Sequence, residues 1–199
     1  MIKRILIALL TLLFLLCGCS ASAETALTPE NILEKAFAKD EASFTEAFGI
    51  DLEKDAEPDP NANGDGWYLS NAAELFGRTA DRLYLSFPND KLLSFTYAFS
   101  FEAFDPAFDF AQKAAKNAEK SYGASILETE YGQPEGVPHL ATRDRTDLRL
   151  KWEKTDEPVQ STTDAFAVSD DCVLEITLTA FTGEDGTRYL VTLTYKANQ

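Results

Sequence analysis

The stretch 59–66, which reads Asp-Pro-Asn-Ala-Asn-Gly-Asp-Gly, has side chains spaced as they are in loops that bind a hard cation. Four oxygen-bearing side chains alternate along it, Asp59, Asn61, Asn63 and Asp65. Alternate oxygens in a tight turn converge on one point, and with a Gly at the sixth position this is how a calcium loop begins. The twelfth position is Ser70, where such a loop needs a bidentate Glu, and the same residue types build ordinary turns. The sequence therefore leaves a calcium site and a plain turn as alternatives.

Side chains that could act as a nucleophile or a base in catalysis are scarce. His139 is the one histidine, and we expect it to be a solvated side chain in a loop. Cys172 opens an alternating apolar stretch, where a free cysteine packs as a small hydrophobe. The sequence lacks the phosphate-loop, dinucleotide-binding and nucleophile-elbow motifs, so it predicts no catalytic residue and no cofactor. The 33 acidic residues leave a carboxylate-based hydrolase as an alternative, although carboxylate pairs are then expected by chance.

Residues 1–18 have the pattern of a secretory signal peptide. Lys3 and Arg4 precede an apolar run over residues 5–16 that only Thr11 interrupts. A helix that spans a bilayer needs about twenty apolar residues, so this run is too short for a permanent span. A basic start, a short apolar run and small residues after it indicate export.

The run ends in Leu16-Cys17-Gly18-Cys19-Ser20, which resembles the lipobox of bacterial lipoproteins. The resemblance implies cleavage before Cys19, whose thiol then takes a diacylglycerol and whose amine is acylated as well, with fatty acids such as palmitate. Two acyl chains anchor a protein stably where one does not, so the implied location is the extracytoplasmic face of a cell membrane or an outer membrane. An ordinary signal peptide cleaved near residues 21–23 is the alternative.

We interpret the chain that remains after cleavage as a tether over residues 19–27 and a single domain over residues 28–199. Its charge limits the kinds of partner that it can bind. Loss of Lys3 and Arg4 leaves 16 basic against 33 acidic residues, a formal charge near −17. Such a surface repels nucleic acid and anionic headgroups, so we expect no nucleic acid partner, and a protein partner of cationic character, a metal ion or an uncharged ligand stays open. With Cys19 acylated, Cys172 has no cysteine to pair with, and the fold depends on its core alone.

Periodicity along the chain predicts helices, then strands, then a helix and strands again. Thr28-Pro29 begins a helical stretch that ends at Gly49, with a break near Asp40. Asp105-Pro106 caps a second helix that ends at Gly123. Alternating apolar residues predict strands, and three polar stretches predict loops. A period of two begins at Trp67, the predicted strands lie at 83–87, 93–101, 148–152, 172–178 and 189–195, and the loops lie at 51–66, 133–145 and 155–171.

This order predicts an α+β fold, an antiparallel sheet with two helices packed on one face. The two halves could be diverged copies of one helix-plus-meander unit. The stretches Glu46-Ala47-Phe48-Gly49, Gly66-Trp67-Tyr68 and residues 85–91 resemble the unit of small envelope lipoproteins of the SmpA/OmlA type and of the β-lactamase inhibitory protein. The resemblance implies a non-catalytic protein that binds or scaffolds another envelope component. A calcium-binding or small-ligand-binding accessory protein is a further alternative.

Changing Cys19 tests the predicted anchor. We expect Cys19→Ala to abolish incorporation of radioactive palmitate, because the acceptor thiol is lost, whereas Cys17→Ala should leave the label in place. Metabolic labelling followed by immunoprecipitation measures both. Equal labelling of the two variants, or an unlabelled parent protein, would contradict the lipoprotein interpretation.

Overall fold

A computed structural model describes residues 26–62, 64–134, 137–155 and 157–198 of the chain. Its helices are α1 Pro29–Lys35, α2 Glu41–Phe48, α3 Leu52–Asp55, α4 Phe104–Tyr122, α5 Leu127–Glu130 and α6 Arg145–Glu153. Its strands are β1 Glu57–Pro58, β2 Gly66–Ser70, β3 Glu74–Leu75, β4 Arg78–Thr79, β5 Arg82–Ser86, β6 Ser94–Phe101, β7 Val159–Ser169, β8 Cys172–Gly183 and β9 Gly186–Ala197. Within these ranges, none of the helices combines the length and the apolar character that a membrane crossing requires.

Seven of these strands form one antiparallel sheet in the order β1-β2-β5-β6-β9-β8-β7, and β3 and β4 form a separate hairpin. Two meanders, β2-β5-β6 and β7-β8-β9, meet where β6 pairs with β9, from Ser94 opposite Lys196 to Phe101 opposite Tyr189. Each meander follows its own helices in the chain. The predicted α+β class is confirmed, and the arrangement is the one expected for two helix-plus-meander halves.

The first helical stretch is divided as its capping residues predict. Thr28 caps α1 by accepting a hydrogen bond from the N–H of Asn31 at 3.4 Å, and Asp40 caps α2 by accepting one from Ser43 at 2.8 Å. Gly49 ends α2 with a φ of 67°, a left-handed conformation that glycine adopts without a steric penalty. The break near Asp40 and the stop at Gly49 are therefore both confirmed.

One face of the sheet forms the core together with α1, α2, α4 and α6. The alternating aromatic residues of β6 point into it, and Phe95, Tyr97 and Phe99 are at most 1% exposed. Small residues on α4 let this helix lie close to the sheet, namely Ala107, Ala111, Ala114, Ala115 and Ala118, all buried. The aromatic row of β6 is thus a covered core, as its pattern predicts.

The strand expected over 148–152 is wrong, because these residues belong to helix α6. Leu148 and Trp152 are buried and Leu150 is 45% exposed. Residues four apart share a face in a helix, and they also share one in a strand, so a short window fits both periods. The helix begins where Asp144 accepts a hydrogen bond from the N–H of Asp147 at 3.0 Å.

The loops expected over 155–171 and 51–66 are wrong in part. Strand β7 occupies Val159–Ser169, and its core-facing positions include the polar Thr162 and Asp164, so the apolar alternation is missing. Helix α3 and strand β1 lie inside the second stretch. The second long helix begins at Phe104 rather than at Asp105-Pro106, and its N-cap Ala103 makes no side-chain capping bond.

Truncating the centre of the core should cost much of the stability. We expect Phe99→Ala to lower the free energy of unfolding by about 3–5 kcal/mol, because it leaves a cavity beside Phe110, whose ring centre lies 4.5 Å away. Urea unfolding followed by circular dichroism measures the loss. Ser100→Ala, exposed on the next position of β6, is the matched control and should change stability by less than about 0.5 kcal/mol.

Candidate functional site

The sheet has an outer face that points away from α1, α2, α4 and α6, and this face is our candidate binding site. Side chains alternate along each strand, so the positions between the buried ones lie on this face. It is formed in this way by β2, β5, β6, β9, β8 and β7. Its central strands present mostly short hydroxyl side chains, among them Ser94, Thr96, Ser100, Thr192, Thr194, Thr177, Thr179, Ser161 and Thr163. The outer face is therefore polar and flat at its centre.

Pairs of threonines facing each other across neighbouring strands order the centre of the outer face. The Oγ1 atoms of Thr96 and Thr194 lie 2.9 Å apart across β6 and β9. Those of Thr163 and Thr177 also lie 2.9 Å apart across β7 and β8. Each hydroxyl can donate one hydrogen bond and accept two, so a pair joined in this way keeps acceptor capacity for a further partner.

An aromatic and arginine cluster occupies the β2–β5 end of the outer face. The rings of Tyr68 and Tyr84 lie 5.8 Å apart, and the Arg82 guanidinium lies 4.6 Å from the centre of the Tyr68 ring. Arg82 also donates a hydrogen bond to the Tyr84 hydroxyl at 3.1 Å. Tyr68 donates one to the Glu57 carboxylate, and this bond raises the pKa of Tyr68. Tyrosine and arginine in such a packed arrangement are the residue types that dominate binding surfaces.

The segment around α5 closes the opposite end of the outer face. It passes the edge strand β7, where the N–H of Ile126 donates to the carbonyl of Ala165 at 2.9 Å, and packs Leu127 on Ala165 and Val173. At this end, Lys196 pairs with Glu175 at 2.8 Å. The accessible part of the outer face therefore runs from the Tyr68 cluster to the threonines of β7 and β8.

The outer face is nearly neutral on a strongly acidic chain. Its charged side chains are Arg82, Arg188 and Lys196 against Glu57 and Glu175. The whole chain has a formal charge of −15. The excess of acidic groups consequently lies on other surfaces, and long-range repulsion is weakest where a partner would approach this sheet.

The loop predicted to bind calcium is closed by hydrogen bonds of its own backbone. Asp59 Oδ1 accepts a hydrogen bond from the N–H of Asn61 at 2.9 Å, and Asp59 N–H donates to the carbonyl of Gly66 at 2.9 Å. A side chain at Gly66 would meet Ala62 Cβ at 2.4 Å, so the turn needs glycine there. Among the described residues, groups of three or more His, Cys, Asp or Glu that could hold a metal are not found. Calcium binding at this loop stays a prediction.

Two of the predicted site residues, Cys19 and Asn63, lie outside the described residues. Asp59 is half-buried beside the turn, and Asn61 and Asp65 are exposed. Cys172 is 2% exposed in the core, and burial raises the pKa of its thiol to about 11. A thiol held protonated in this way is inert as a nucleophile, and Cys172 packs as the small hydrophobe that its strand predicts.

The expectation of a solvated His139 is wrong, because this ring lies against a buried carboxylate. Its Nδ1 is 3.3 Å from Oδ1 of Asp164, a side chain on β7 with no exposed surface. Oδ2 of Asp164 accepts a hydrogen bond from the N–H of Ala141 at 3.2 Å. On its other side, His139 Nε2 lies 3.9 Å from Glu128. This contact ties the connection between α5 and α6 to the edge of the sheet.

Sequence reasoning found half of the outer face and missed the other half. The polar partners on β6, Ser94 to Ser100, were visible as the alternate positions of a clear strand. The contribution of β7 is hidden, because its polar core-facing positions give the segment the pattern of a loop. The run Gln160-Ser161-Thr162-Thr163, rich in the β-branched and hydroxyl residues typical of edge strands, was the available signal.

The buried Asp164 predicts a pH-dependent effect on stability. Burial raises the pKa of this carboxyl above its ordinary 3.8, so it favours the folded state while protonated. That contribution is complete below the unfolded-state pKa and is lost as the pH rises through the folded-state pKa. We therefore expect Asp164→Asn, which is neutral throughout, to gain more stability relative to the parent chain at about pH 8 than at about pH 3. Urea unfolding at the two pH values measures this.

The exposed Asp171→Asn is the matched control and should give no such difference. An equal effect of Asp164→Asn at both pH values would contradict the burial cost assigned to the carboxylate.

No known protein-family model matches the chain, and no curated protein and no solved structure matches it either. Its function is therefore inferred from its own residues, contacts and charges.

Proposed function

We propose that this chain is a lipid-anchored extracytoplasmic lipoprotein that binds another envelope protein through its outer face and catalyses no reaction. The lipobox-like Leu16–Ser20 stretch supplies the anchor, and the tether over 19–27 separates it from the domain. The observation that carries the binding role is the outer face itself, a broad sheet surface that the long helices leave uncovered.

The make-up of the outer face supports a protein ligand. Tyr68, Tyr84 and Arg82 already pack against one another, so little side-chain entropy is lost when a partner covers them. The threonine pairs offer hydrogen-bond acceptors at fixed positions between the rings and β7. Packed tyrosine and arginine side chains are the residue types that act as anchors in protein interfaces, where a few residues supply most of the binding energy.

The charge distribution supports the same proposal. Acidic groups elsewhere on the domain hold it away from anionic headgroups, while the near-neutral outer face does not repel an approaching protein. The anchor confines the domain to a thin layer above the membrane. Binding to a neighbour in the same layer then gains from a high effective concentration, so a modest intrinsic affinity is sufficient.

The non-catalytic part of the proposal is supported by the environment of the groups that could do acid–base chemistry. His139 Nδ1 and Asp164 Oδ1 are both enclosed, without a hydrogen-bond partner among the described residues, so a substrate cannot reach the atoms that face each other. The thiol of Cys172 is buried and held protonated.

Photocrosslinking in intact cells tests the binding surface. A benzophenone amino acid at Thr192 or Tyr84, on the outer face, should yield a discrete crosslinked product in the membrane fraction. The same amino acid at Asn117, exposed on α4 at the opposite side of the domain, should not.

A second change separates specific binding from crowding. Thr194→Glu places an uncompensated charge at the centre of the outer face and should remove most of the Thr192 crosslink, whereas Asn117→Glu adds the same charge on the helical side and should not. Equal products from all three positions, or a Thr192 product that Thr194→Glu leaves intact, would contradict the outer face as the binding site.

A further inference from the structure

A cavity of about 640 Å³ lies on the helical side of the domain, where α4 begins beside α6 and the β8–β9 hairpin. Its walls come from separate parts of the chain. Phe104 and Asp105 start α4, Arg149, Trp152 and Glu153 lie along α6, and Tyr189 belongs to β9. The volume falls within the range of about 300–1,000 Å³ that small-molecule sites occupy. The cavity is distinct from the outer face, which lies on the other side of the sheet.

Three aromatic rings form the apolar wall of this cavity. The ring centre of Phe104 is 5.7 Å from that of Trp152 and 5.7 Å from that of Tyr189, with interplanar angles of 77° and 69°. Trp152 is 8% exposed and Phe104 is 7% exposed, so both rings are held firmly by the core. Phe104 and Trp152 therefore show little of their surface to the cavity, and the half-buried Tyr189, which they hold in place, presents the accessible ring surface to a ligand.

An ion pair fixes the polar groups next to the rings. Arg149 donates to the Asp105 carboxylate, and its guanidinium lies 5.0 Å from the centre of the Phe104 ring. Arg145 approaches the same carboxylate at 3.7 Å. The pair neutralises its own charges and leaves other guanidinium N–H groups and carboxylate lone pairs for hydrogen bonds.

Several polar groups of the cavity lack partners among the described residues. The Nε1–H of Trp152 has no hydrogen-bond acceptor among the described residues, and it is not among the polar atoms that are fully buried without a partner. Because Trp152 lines the cavity, a ligand in the cavity could supply the missing acceptor. The other tryptophan differs, because Nε1 of Trp67 donates to Glu41 at 2.8 Å. The Tyr189 hydroxyl is likewise unpaired within the described part, and burial raises its pKa. Gln160 uses its amide N–H to bind the Trp152 carbonyl at 3.0 Å, which leaves its oxygen as an acceptor.

We propose that this cavity binds a neutral saccharide. An anionic ligand is disfavoured, because the lining carries Asp105, Glu153 and Glu157 against a single arginine on a chain of formal charge −15. A simple organic cation has no acceptor to offer, so it would leave the indole N–H unmatched.

A sugar ring fits both halves of the lining. Its C–H face packs on an aromatic ring, here that of the half-buried Tyr189, and its hydroxyls both donate and accept hydrogen bonds. Donors are available from Trp152, Tyr189 and Arg149, and acceptors from the Glu153 and Glu157 carboxylates and from Gln160. A ligand with fewer hydroxyls would leave these polar groups unpaired on burial, which is the cost that gives such sites their selectivity.

Calorimetric titration of the full-length protein tests the ligand class. The protein is held in a polyoxyethylene detergent, because alkyl-glycoside detergents would compete. The probes are cellotriose, maltotriose and the trimer of β-1,4-linked N-acetylglucosamine. We expect saturable heat with at least one of them at millimolar concentration, together with a change in indole fluorescence in a Trp67→Phe background, where Trp152 is the sole tryptophan.

Two conservative variants test the assigned contacts. Trp152→Phe removes the N–H and keeps an aromatic wall, and Tyr189→Phe removes only a hydroxyl. Each should weaken binding by about tenfold, the effect of one lost hydrogen bond in a desolvated site. Tyr122→Phe, which removes a hydroxyl at the other end of α4 and outside the cavity lining, should leave binding unchanged. Circular dichroism checks that each variant is folded. If Trp152→Phe does not fold, Tyr189→Phe alone tests the assigned contacts.

The outcomes separate this inference from the function proposed above. The saccharide site would be overturned by any of three results. These are no binding heat with any of the three trisaccharides, binding that both variants leave intact, and tight binding of choline or spermidine in place of sugars. None of these would affect the anchor or the outer face. Release of shorter sugars from a bound trisaccharide would uphold the ligand class and contradict the non-catalytic function. Loss of the outer-face crosslink would leave the saccharide site standing.

Discussion

The antiparallel pairing of β6 with β9 is the constraint on which the rest of the structure depends. It joins the two meanders through eight residue pairs, from Ser94 with Lys196 to Phe101 with Tyr189. Within that register, the rings of Phe95 and Tyr195 stack with centres 4.8 Å apart on the core side. On the other side, the hydroxyls of Thr96 and Thr194 meet. A slip of one residue would exchange the two faces of the strand, placing hydroxyls in the core and aromatic rings in solvent.

Both candidate binding regions follow from this one register. The centre of the outer face consists of the polar positions of β6 and β9. The aromatic cavity lies where the same strands end, because Phe104 follows β6 by a short turn and Tyr189 is the last partner of Phe101. The sheet therefore acts as a rigid scaffold between a surface suited to a protein and a pocket suited to a small ligand. Sites built on such elements hold their geometry better than sites built on loops.

The buried polar contacts have a different role, since they position a long connection. Between α4 and α6 the chain crosses the β7 edge, covers one end of the outer face with α5 and returns to the core at Leu140. Asp164 contacts this connection at two points, since its carboxylate accepts a hydrogen bond from the Ala141 N–H and lies against the His139 ring. A buried carboxylate costs stability unless it is paired, and here its partners are the Ala141 N–H and the His139 ring, both on the long connection.

The sequence by itself determined the α+β class, the capped helices at Thr28, Asp40 and Gly49, and strand β6, because each depends on local chemistry or on an unambiguous period of two. It also determined the acidic character of the chain and the lipobox-like pattern at Cys19. Only the tertiary structure decided that 145–153 is a helix and 159–169 a strand, since a short amphipathic window fits both periods and the edge strand carries polar residues toward the core. The β7 part of the outer face and the aromatic cavity were likewise invisible in the sequence. Phe104 and Tyr189 in the cavity are 85 positions apart, and Thr96 and Thr194 on the outer face are 98 positions apart, so only the folded sheet brings such distant side chains together.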